Sequence, residues 1–370
     1  MTALPRRASS EPLHVGKPNV GDRARLASMI DDMLDRRWLT NAGPYVVELE
    51  RRLAEFLGVR HVLAVCNATI ALEIAARALG LEGEVIVPSF TFVATAHALE
   101  WIGITPVFAE VDPRTHMLDP RHVEAAITPR TSGIAGVHLW GRTCDVDGLA
   151  RVAEERGLTL LFDAAHAFGC ARGGTMVGNF GAAEVFSFHA TKFFNTFEGG
   201  AVATNDDALA ARIRLMRNFG FAGHDDVRSA GTNGKMSEVA AAMGLVNLDS
   251  AGEFIAVNRR NYERYRAGLH GLAAVRFLEF DDGERTNYQY VVVEIDNGRD
   301  AILDGLWEQS VFARRYFYPG AHRMEPYRSR PVSLPSTEAL VERTLVLPTG
   351  TGVTDADIDF ICAYIRAAAA

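Results

Sequence analysis

Six short apolar runs alternate with helix-like stretches in the first half of the chain, and this alternation constrains the fold more than any other feature. The runs are HVLAVC, EVIVPS, PVFAEVD, GIAGVHLW, LTLLFDAA and AEVFSF. Apolar residues on both faces of each predicted strand are typical of a mostly parallel sheet covered by helices on both sides. Helices are predicted over residues 69–79 and 145–155, and an amphipathic helical segment precedes the first run. We therefore predict one large α/β domain over residues 1–250.

The sequence pattern changes after residue 250. The arginine-rich helical stretch AVNRRNYERYRAGL is followed by the strand-like YQYVVVEID, by a helix-like stretch near residues 302–310 and by a closing helix over residues 355–368. This mixture predicts a smaller α+β domain over residues 251–370.

Composition argues against several classes of partner. Lys and Arg total 38 against 46 Asp and Glu, a net charge of −8, and no basic run is long enough to follow a nucleic-acid backbone. No window reaches the roughly 18 uninterrupted apolar residues of a membrane helix, and MTALPRRASSEPL lacks the apolar region of a signal peptide. We expect a soluble cytoplasmic protein with neither a nucleic-acid nor a membrane partner. The four cysteines form no C-x-x-C pair, which argues against a zinc site and a disulfide framework.

Lysine is scarce in this chain. Only Lys17, Lys192 and Lys235 are present, so nearly all of the basic side chains are arginine. Arginine cannot replace lysine where an amine must lose its proton and attack a carbonyl. Lys192, between an apolar run and a glycine pair in EVFSFHATKFFNTFEGG, is therefore a candidate nucleophile. The alternative is a surface lysine without a chemical role, which is our interpretation of Lys17.

Polar residues follow three of the predicted strands, and ligands bind beyond the carboxyl ends of strands in an open α/β sheet. Asp163 follows LTLLF, with His166 three residues later, and Ser187 follows AEVF, five residues before Lys192. Each also has a purely structural interpretation, because strand-end Asp and Ser residues often cap helices or turns and a loop histidine is often simply hydrogen-bonded.

The segment CNAT opens a predicted helix after HVLAV, and its free amides at Ala68 and Thr69 suit a phosphate, although Thr69 could be only a cap. A phosphate cradle, a strand-end carboxylate and an amine nucleophile together suit pyridoxal phosphate better than any other common cofactor. The carboxylate would keep the pyridine nitrogen protonated, and the lysine would form the Schiff base.

Motifs for competing cofactors are missing from the sequence. No G-x-G-x-x-G follows a predicted strand, and SAGTNGKMS departs from a phosphate-binding loop at Ser229 and Met236. GVHLWG contains one histidine and no second metal ligand at a useful spacing, so no metal is predicted.

Several blocks resemble the sugar aminotransferases of the DegT/DnrJ/EryC1/StrS group, and the resemblance covers nearly the whole chain. The blocks include CNATIALEIAARALG, GEVIVPSFTFVATAHAL, FDAAHAFG, VFSFHATKFFNTFEGGAVATND and GTNGKMSEVAAAMGL. The resemblance implies pyridoxal phosphate fold type I. HVGKPNVGDRARL and ARRYFYPGAHRMEPYR are similar to the C4 aminotransferases of this group, which act on a dTDP-linked 4-keto-6-deoxyglucose in natural-product pathways and are expected to use L-glutamate as amino donor.

The resemblance also implies roles for residues around the cofactor ring. It makes Lys192 the Schiff-base lysine and the group that moves a proton between cofactor and substrate, and Asp163 the partner of the pyridine nitrogen. His166 would lie beside the ring oxygen, and Phe92 would stack on the ring face. Relatives that remove a sugar hydroxyl carry histidine in place of the lysine, so Lys192 favours transamination.

Further roles implied by the resemblance concern the phosphate and the assembly. Ala68, Thr69 and Ser187 match its phosphate cradle, and Asn233 matches an asparagine that reaches the phosphate from the neighbouring subunit. A homodimer with an active site shared between subunits is therefore expected.

The diphosphate of such a substrate requires local cations in a chain of net negative charge. Arg314, Arg315 and Arg330 are candidates, and Tyr318 and His322 lie in the same block. The arginines could equally be solvated or paired with acidic neighbours, and His322 could merely cap a turn.

Alternatives to this function remain open in the sequence. One is an aminotransferase for a C3 keto sugar, or for a GDP- or UDP-linked sugar, on the same scaffold. Another is a non-catalytic regulatory protein that binds pyridoxal phosphate, against which the set Asp163, Ser187 and Lys192 argues.

Overall fold

The computed structural model describes residues 4–281 and 283–369. Its strands, in chain order, are β1 (Leu13–His14), β2 (His61–Val65), β3 (Glu84–Pro88), β4 (Thr105–Ala109), β5 (Thr131–Val137), β6 (Thr159–Asp163), β7 (Ala171–Arg172), β8 (Thr175–Met176), β9 (Ala183–Ser187), β10 (Gly200–Thr204), β11 (Phe221–Gly223), β12 (Asp226–Val227), β13 (Val275–Phe277), β14 (Val291–Ile295), β15 (Val311–Phe312) and β16 (Thr344–Leu347).

The helices, in chain order, are α1 (Arg23–Arg36), α2 (Pro44–Leu57), α3 (Ala68–Ala78), α4 (Ala94–Trp101), α5 (Pro120–Ala126), α6 (Val146–Arg156), α7 (Asp207–Met216), α8 (Glu238–Asp249), α9 (Ala251–Leu269), α10 (Arg299–Glu308), α11 (Pro335–Arg343) and α12 (Asp355–Ala368). Two short 3-10 turns, Ala321–Arg323 and Glu325–Tyr327, lie between α10 and α11.

Seven strands form the central sheet, in the order β2-β10-β9-β6-β5-β3-β4. All neighbouring pairs are parallel except those of β10, which runs antiparallel to both β2 and β9. The six predicted strands are all present in this sheet, and β3 and β10 are buried along their whole length because helices cover both faces. No periodicity predicts β10, whose small residues GAVAT begin with the second glycine of the pair Gly199–Gly200.

Local sequence signals set the ends of the predicted helices. Asp22 caps α1 by accepting the amide hydrogens of Ala24 and Arg25. Helix α2 starts at Pro44 and ends at Leu57, because the next residue, Gly58, takes a left-handed φ of 65°. The predicted helices over residues 69–79, 145–155 and 302–310 correspond to α3, α6 and α10, and the closing helix is α12.

A second, antiparallel sheet of β13, β14 and β16 lies in the C-terminal part, together with α9, α10 and α12. Side chains alternate along β14: Val291 and Val293 pack in the C-terminal core, whereas Tyr290 and Val292 belong to a core shared with the large sheet. The predicted boundary at residue 250 coincides with the break between α8 and α9 and remains a prediction. The N-terminal β1 pairs with β15, so this segment contacts the C-terminal part.

The four cysteines are free thiols; Cys66 is half-buried and the other three are buried. No single helix of the described chain is both long and apolar enough to cross a membrane, whereas α8 and α9 together reach that length and apolarity but are bent by 62°.

Candidate active site

The sheet brings three of the predicted segments to one edge. Ser187 is the last residue of β9, and Gly200 of β10 lies opposite both Ser187 and Val65 at the end of β2. A Cβ added to Gly200 would lie 2.8 Å from the amide nitrogen of Ala68. The missing side chain therefore lets the start of α3 approach the end of β9.

The first turn of α3 offers unpaired amide donors at this edge. Asn67 caps the helix by accepting the amide hydrogen of Ile70, while the amides of Ala68 and Thr69 precede the first intrahelical hydrogen bond. These two amides and the Ser187 hydroxyl form an anion cradle of the kind that binds phosphate.

Asp163 ends β6, the neighbour of β9, and its carboxylate is buried. The Thr95 hydroxyl of α4 donates to Oδ2 at 2.8 Å, and the Ala165 amide donates to Oδ1 at 3.0 Å. Burial raises the pKa of Asp163, while these two hydrogen bonds and the charge of Lys192 favour the ionised form. A buried carboxylate with only two hydrogen-bond donors in the described chain still has acceptor capacity for a cationic group that carries a proton.

Tyr290 joins two of the predicted residues. Lys192 Nζ donates to Tyr290 Oη at 3.2 Å, and Tyr290 Oη lies 3.1 Å from His166 Nε2. His166 Nδ1 is buried without a hydrogen-bond partner among the described residues. Burial, together with the charge of Lys192, lowers the pKa of His166 well below its usual value, so the ring is neutral. A neutral ring whose Nε2 contacts the tyrosine hydroxyl leaves Nδ1 available to a ligand.

Lys192 is half-buried in the loop after β9. Burial lowers the pKa of its amine to about 8, and the charges of Tyr316 and Asp163 oppose this shift. The neutral amine, which is the nucleophilic form, is therefore far more populated near neutral pH than for an ordinary lysine.

In cofactor-free protein we expect the reactivity of Lys192 to rise with a midpoint near pH 8, because loss of the ammonium proton exposes the nucleophilic lone pair. Pulse acetylation across a pH series, followed by mass spectrometry of the peptide containing residue 192, measures this midpoint. A midpoint near the ordinary lysine value of 10.5 would contradict the prediction.

Phe92 lies in the loop before α4 with 59% of its surface exposed, an unusual state for a phenylalanine. Its ring lines a cleft together with Tyr316 and Arg314. An exposed aromatic ring at the edge of the site is compatible with the predicted stacking role, which remains a prediction.

The three arginines predicted as substrate candidates differ in their ion pairs. Arg315 Nη1 bonds Asp300 at 3.2 Å, and Arg330 Nη2 bonds Glu100 at 2.7 Å. Arg314 lies 5.1 Å from the centre of the Tyr316 ring and has no carboxylate within salt-bridge distance in the described chain.

Tyr318 and His322 differ in their surroundings. The Tyr318 ring is partly exposed below the guanidinium of Arg315, at 4.3 Å. His322 is buried: its Nδ1 lies 2.6 Å from Ser89 Oγ, and its Nε2 lies 3.4 Å from Glu338 Oε1. Both nitrogens of His322 are thus already engaged within the chain.

Asn233 is exposed, and Lys235 Nζ donates to its Oδ1 at 2.7 Å. The segment lies alongside the end of β2, where the Cys66 amide donates to the Gly234 carbonyl at 2.8 Å. A contact of Asn233 with a second subunit remains a prediction.

Sequence reasoning missed Tyr290, Thr95 and Trp140. The Trp140 indole is buried, lies nearly parallel to the Phe317 ring at 5.3 Å, and lies 5.6 Å from the His166 ring, so it packs against the imidazole. Thr95 and Trp140 lie in the quoted stretches GEVIVPSFTFVATAHAL and GVHLWG, which do not indicate what these side chains contact, and Tyr290 belongs to a strand-like run of the C-terminal part that is remote in sequence from Lys192. The pattern YQYVVVEID predicts a strand but not what the strand faces.

Comparison with known proteins identifies the class. A model of the DegT/DnrJ/EryC1/StrS aminotransferase family matches residues 21–366. The chain belongs to this family.

Named relatives of the chain cover it almost entirely. It is 36% identical over 362 residues to a dTDP-4-amino-4,6-dideoxy-D-glucose transaminase of Shigella dysenteriae, covering 96% of this chain and 99% of that one. It is 35% identical to a GDP-perosamine synthase of Caulobacter vibrioides, covering 99% of both. The crystal structure of DesI in the presence of its TDP-sugar product is 54% identical, with a TM-score of 0.95 over 99% of this chain and 94% of that one.

The predicted family, fold and enzyme class are therefore confirmed: the chain is a pyridoxal-phosphate-dependent sugar aminotransferase of fold type I. The site fits that cofactor, because the missing Cβ of Gly200 leaves space beside the open amides of α3, and because His166 Nδ1 is buried without a partner among the residues that the structure describes. The roles of individual residues remain predictions.

Proposed function

We propose that this enzyme converts dTDP-4-keto-6-deoxy-D-glucose to dTDP-4-amino-4,6-dideoxy-D-glucose, with L-glutamate as amino donor. The observation that carries the proposal is the half-buried Lys192, whose amine contacts Tyr290 in a site that also holds the buried Asp163. The 54% identity to DesI, a protein solved with its TDP-sugar product, supports the choice of substrate.

Pyridoxal phosphate, when bound, supplies the electron sink and carries the amino group between the two substrates. Ser187 with the amides of Ala68 and Thr69 would hold its phosphate, and Asp163 would hold its ring nitrogen. His166 Nδ1 would bind the ring oxygen, and Phe92 would cover the ring face.

Lys192 would bind the cofactor covalently at rest and, once released by the amino donor, carry the proton to and from the reacting carbon. Its lowered pKa suits this task, because an amine titrating near pH 8 is able both to accept and to deliver a proton at neutral pH. Tyr290 would hold the released amine within reach of the site.

We also propose that two subunits share the site. Large apolar side chains are exposed around the segment that carries Asn233, namely Trp38, Leu39, Phe197, Phe219 and Phe221. The contacts Lys235–Phe219 and Glu238–Leu39 place two of them, Phe219 and Leu39, beside that segment. A patch of this kind supports burial against a second copy.

Co-expressing the inactive variants Lys192→Ala and Asn233→Ala should restore activity, because each mixed dimer holds one intact site. Absence of any recovered activity, or a monomer in sedimentation, would refute the sharing of the site between subunits.

A GDP-linked keto sugar is the second candidate substrate. The identities to the dTDP-sugar transaminase and the GDP-perosamine synthase differ by one percentage point, 36% against 35%. Overall sequence identity to these two relatives therefore does not discriminate between a thymidine and a guanosine nucleotide in the substrate.

The decisive experiment offers the purified enzyme a panel of keto-sugar nucleotides with L-glutamate and determines the product and amine position by mass spectrometry and NMR. We expect turnover of the dTDP-linked 4-keto sugar and an equatorial amine. Turnover only of a 3-keto or a GDP- or UDP-linked substrate would replace the proposal by that alternative. No turnover at all, with cofactor bound, would favour the non-catalytic binding protein.

A cytoplasmic location and a place in natural-product deoxysugar biosynthesis belong to the same proposal, and the TDP-sugar product of DesI supports a role in a nucleotide-sugar pathway. Fractionation of the producing cells and loss of the amino sugar on gene deletion would check them.

A further inference from the structure

A cleft of about 490 Å³ opens beside Phe92 and is walled by the N-terminal strand and the C-terminal part. The side chains that define it are His14, Phe92, Trp307, Phe312, Arg314 and Tyr316. It combines aromatic rings with an arginine, which is the chemistry that binds an aromatic base joined to phosphates.

Alternate residues of β15 and of the two positions after it, Ala313 and Arg314, differ in burial. Val311 and Ala313 are fully buried, whereas Phe312 is half-buried, Arg314 is exposed, and both of these side chains line the cleft. Phe312 and Arg314 therefore line the same wall.

The aromatic end of the cleft is a preformed platform. His14 is the register partner of Phe312 across the β1–β15 pair, and their rings are stacked at 4.7 Å and 10°. The Trp307 ring lies 6.1 Å from Phe312, and its Nε1 donates to the Ala313 carbonyl at 2.9 Å. Because backbone pairing and a hydrogen bond fix these rings, little side-chain entropy is lost when a base stacks on them.

Arg314 is the cation of this cleft that no carboxylate neutralises within the described residues, since Arg315 is paired with Asp300. Its guanidinium lies over the Tyr316 ring at 5.1 Å, and that ring lies 6.1 Å from Tyr290, which bonds Lys192. Contacts through Tyr290 and Tyr316 thus connect the catalytic amine to the cation Arg314, and the aromatic platform lies in the same cleft as Arg314. In a sugar nucleotide, the diphosphate lies between the reacting carbon and the base.

The N-terminal segment is built into the loop that carries the amine. A Cβ on Gly16, which has a φ of 79°, would lie 2.7 Å from the Thr191 carbonyl, so only glycine fits there. The buried Asn19 donates to the Phe193 carbonyl at 3.0 Å and accepts from Thr351. His14 is therefore held at a fixed distance from the catalytic loop.

We propose that this cleft binds the nucleoside diphosphate part of the substrate, with the base on the His14–Phe312 platform and the diphosphate on Arg314. The inference rests on the proposed function and adds to it the residues that recognise the nucleotide. It assigns the diphosphate to Arg314 rather than to Arg315 or Arg330.

Calorimetric titration of dTDP into the cofactor-loaded enzyme tests the assignment without turnover. Arg314→Gln should weaken dTDP binding at least about tenfold and flatten its dependence on salt, because a charge-assisted contact is lost. His14→Ala and Phe312→Ala should each weaken it by about tenfold while keeping the salt dependence, because stacking is lost. The His14 ring is exposed, so its removal leaves the fold intact even if Phe312→Ala fails to fold.

Matched controls lie outside the cleft. Arg266→Gln removes an exposed guanidinium from α9, and Trp101→Ala removes an aromatic ring that is 84% exposed on α4. Both should bind dTDP as the unmodified enzyme does. Equal affinity in the cleft variants and the controls would overturn the inference, as would the absence of saturable binding of dTDP, UDP or GDP to the unmodified enzyme.

Failure of the proposed function gives a different result. If the enzyme binds dTDP through these residues but aminates no keto-sugar nucleotide, the proposed binding site is supported and the proposed function is refuted. If all three cleft variants aminate the substrate with unchanged kinetics, the proposed function is supported and the proposed binding site is refuted.

Discussion

Replacement of Lys192 by arginine is expected to abolish transamination, with a loss of about 1,000- to 10,000-fold in turnover. Arginine keeps the positive charge but does not give up its proton in a protein, so it provides neither the nucleophile nor the proton carrier. Steady-state turnover with the keto-sugar nucleotide measures the loss. Borohydride reduction followed by mass spectrometry should fix the cofactor to residue 192 in the unmodified enzyme and nowhere in the variant.

Two comparisons separate chemistry from folding. Lys17→Arg makes the same substitution at an exposed lysine and should change turnover by less than about twofold, since surface substitutions are usually near neutral. Lys192→Ala should recover part of its activity with added methylamine, which supplies a small amine in the vacated space, whereas Lys192→Arg should not. Turnover in Lys192→Ala without added amine would refute the assignment.

Asp163→Asn is expected to lower turnover by about 100- to 1,000-fold, the usual effect of removing one preorganised electrostatic partner. Asparagine preserves the shape: its Oδ1 still accepts from the Ala165 amide, and its Nδ2 donates to the Thr95 hydroxyl, which changes from donor to acceptor, so the protein should fold. The negative charge that favours a protonated ring nitrogen is lost. Turnover, together with the absorbance spectrum of the bound cofactor, measures the effect.

The matched controls for Asp163 address its charge directly. Asp304→Asn, at an exposed position of α10, should leave turnover and the cofactor spectrum unchanged. Asp163→Ala loaded with a cofactor analogue methylated on the ring nitrogen should recover activity, because that nitrogen is permanently cationic and no longer needs the carboxylate. If Asp163→Asn loses activity but the analogue does not restore activity to Asp163→Ala, the role of Asp163 is purely structural.

The contrast between Arg314 and its neighbours illustrates the limit of sequence reasoning. Arg314, Arg315 and Arg330 are equivalent as letters, and all three were candidates for the diphosphate. Asp300 and Glu100 pair with two of them, and these acids are 15 and 230 positions away in the chain. Only the folded chain shows which guanidinium remains without a carboxylate.

His322 and Tyr290 show the same limit in opposite directions. His322, in the block ARRYFYPGAHRMEPYR, was a candidate to contact the substrate, yet its ring nitrogens lie 2.6 Å from Ser89 Oγ and 3.4 Å from Glu338 Oε1. Tyr290 carried no signal, yet it contacts both Lys192 and His166. Each outcome depends on contacts between residues on different elements.

The sequence by itself determined the parallel sheet, the ends of several helices and the positions of Asp163, Ser187 and Lys192 just after strands. These features follow from periodicity and from local turn and cap chemistry, which act over a few residues. Tertiary structure alone decided that Tyr290 faces Lys192, that β1 pairs with β15, and that His14, Phe312 and Arg314 line one cleft. Such contacts arise when separate elements pack, and no local pattern encodes which surfaces meet.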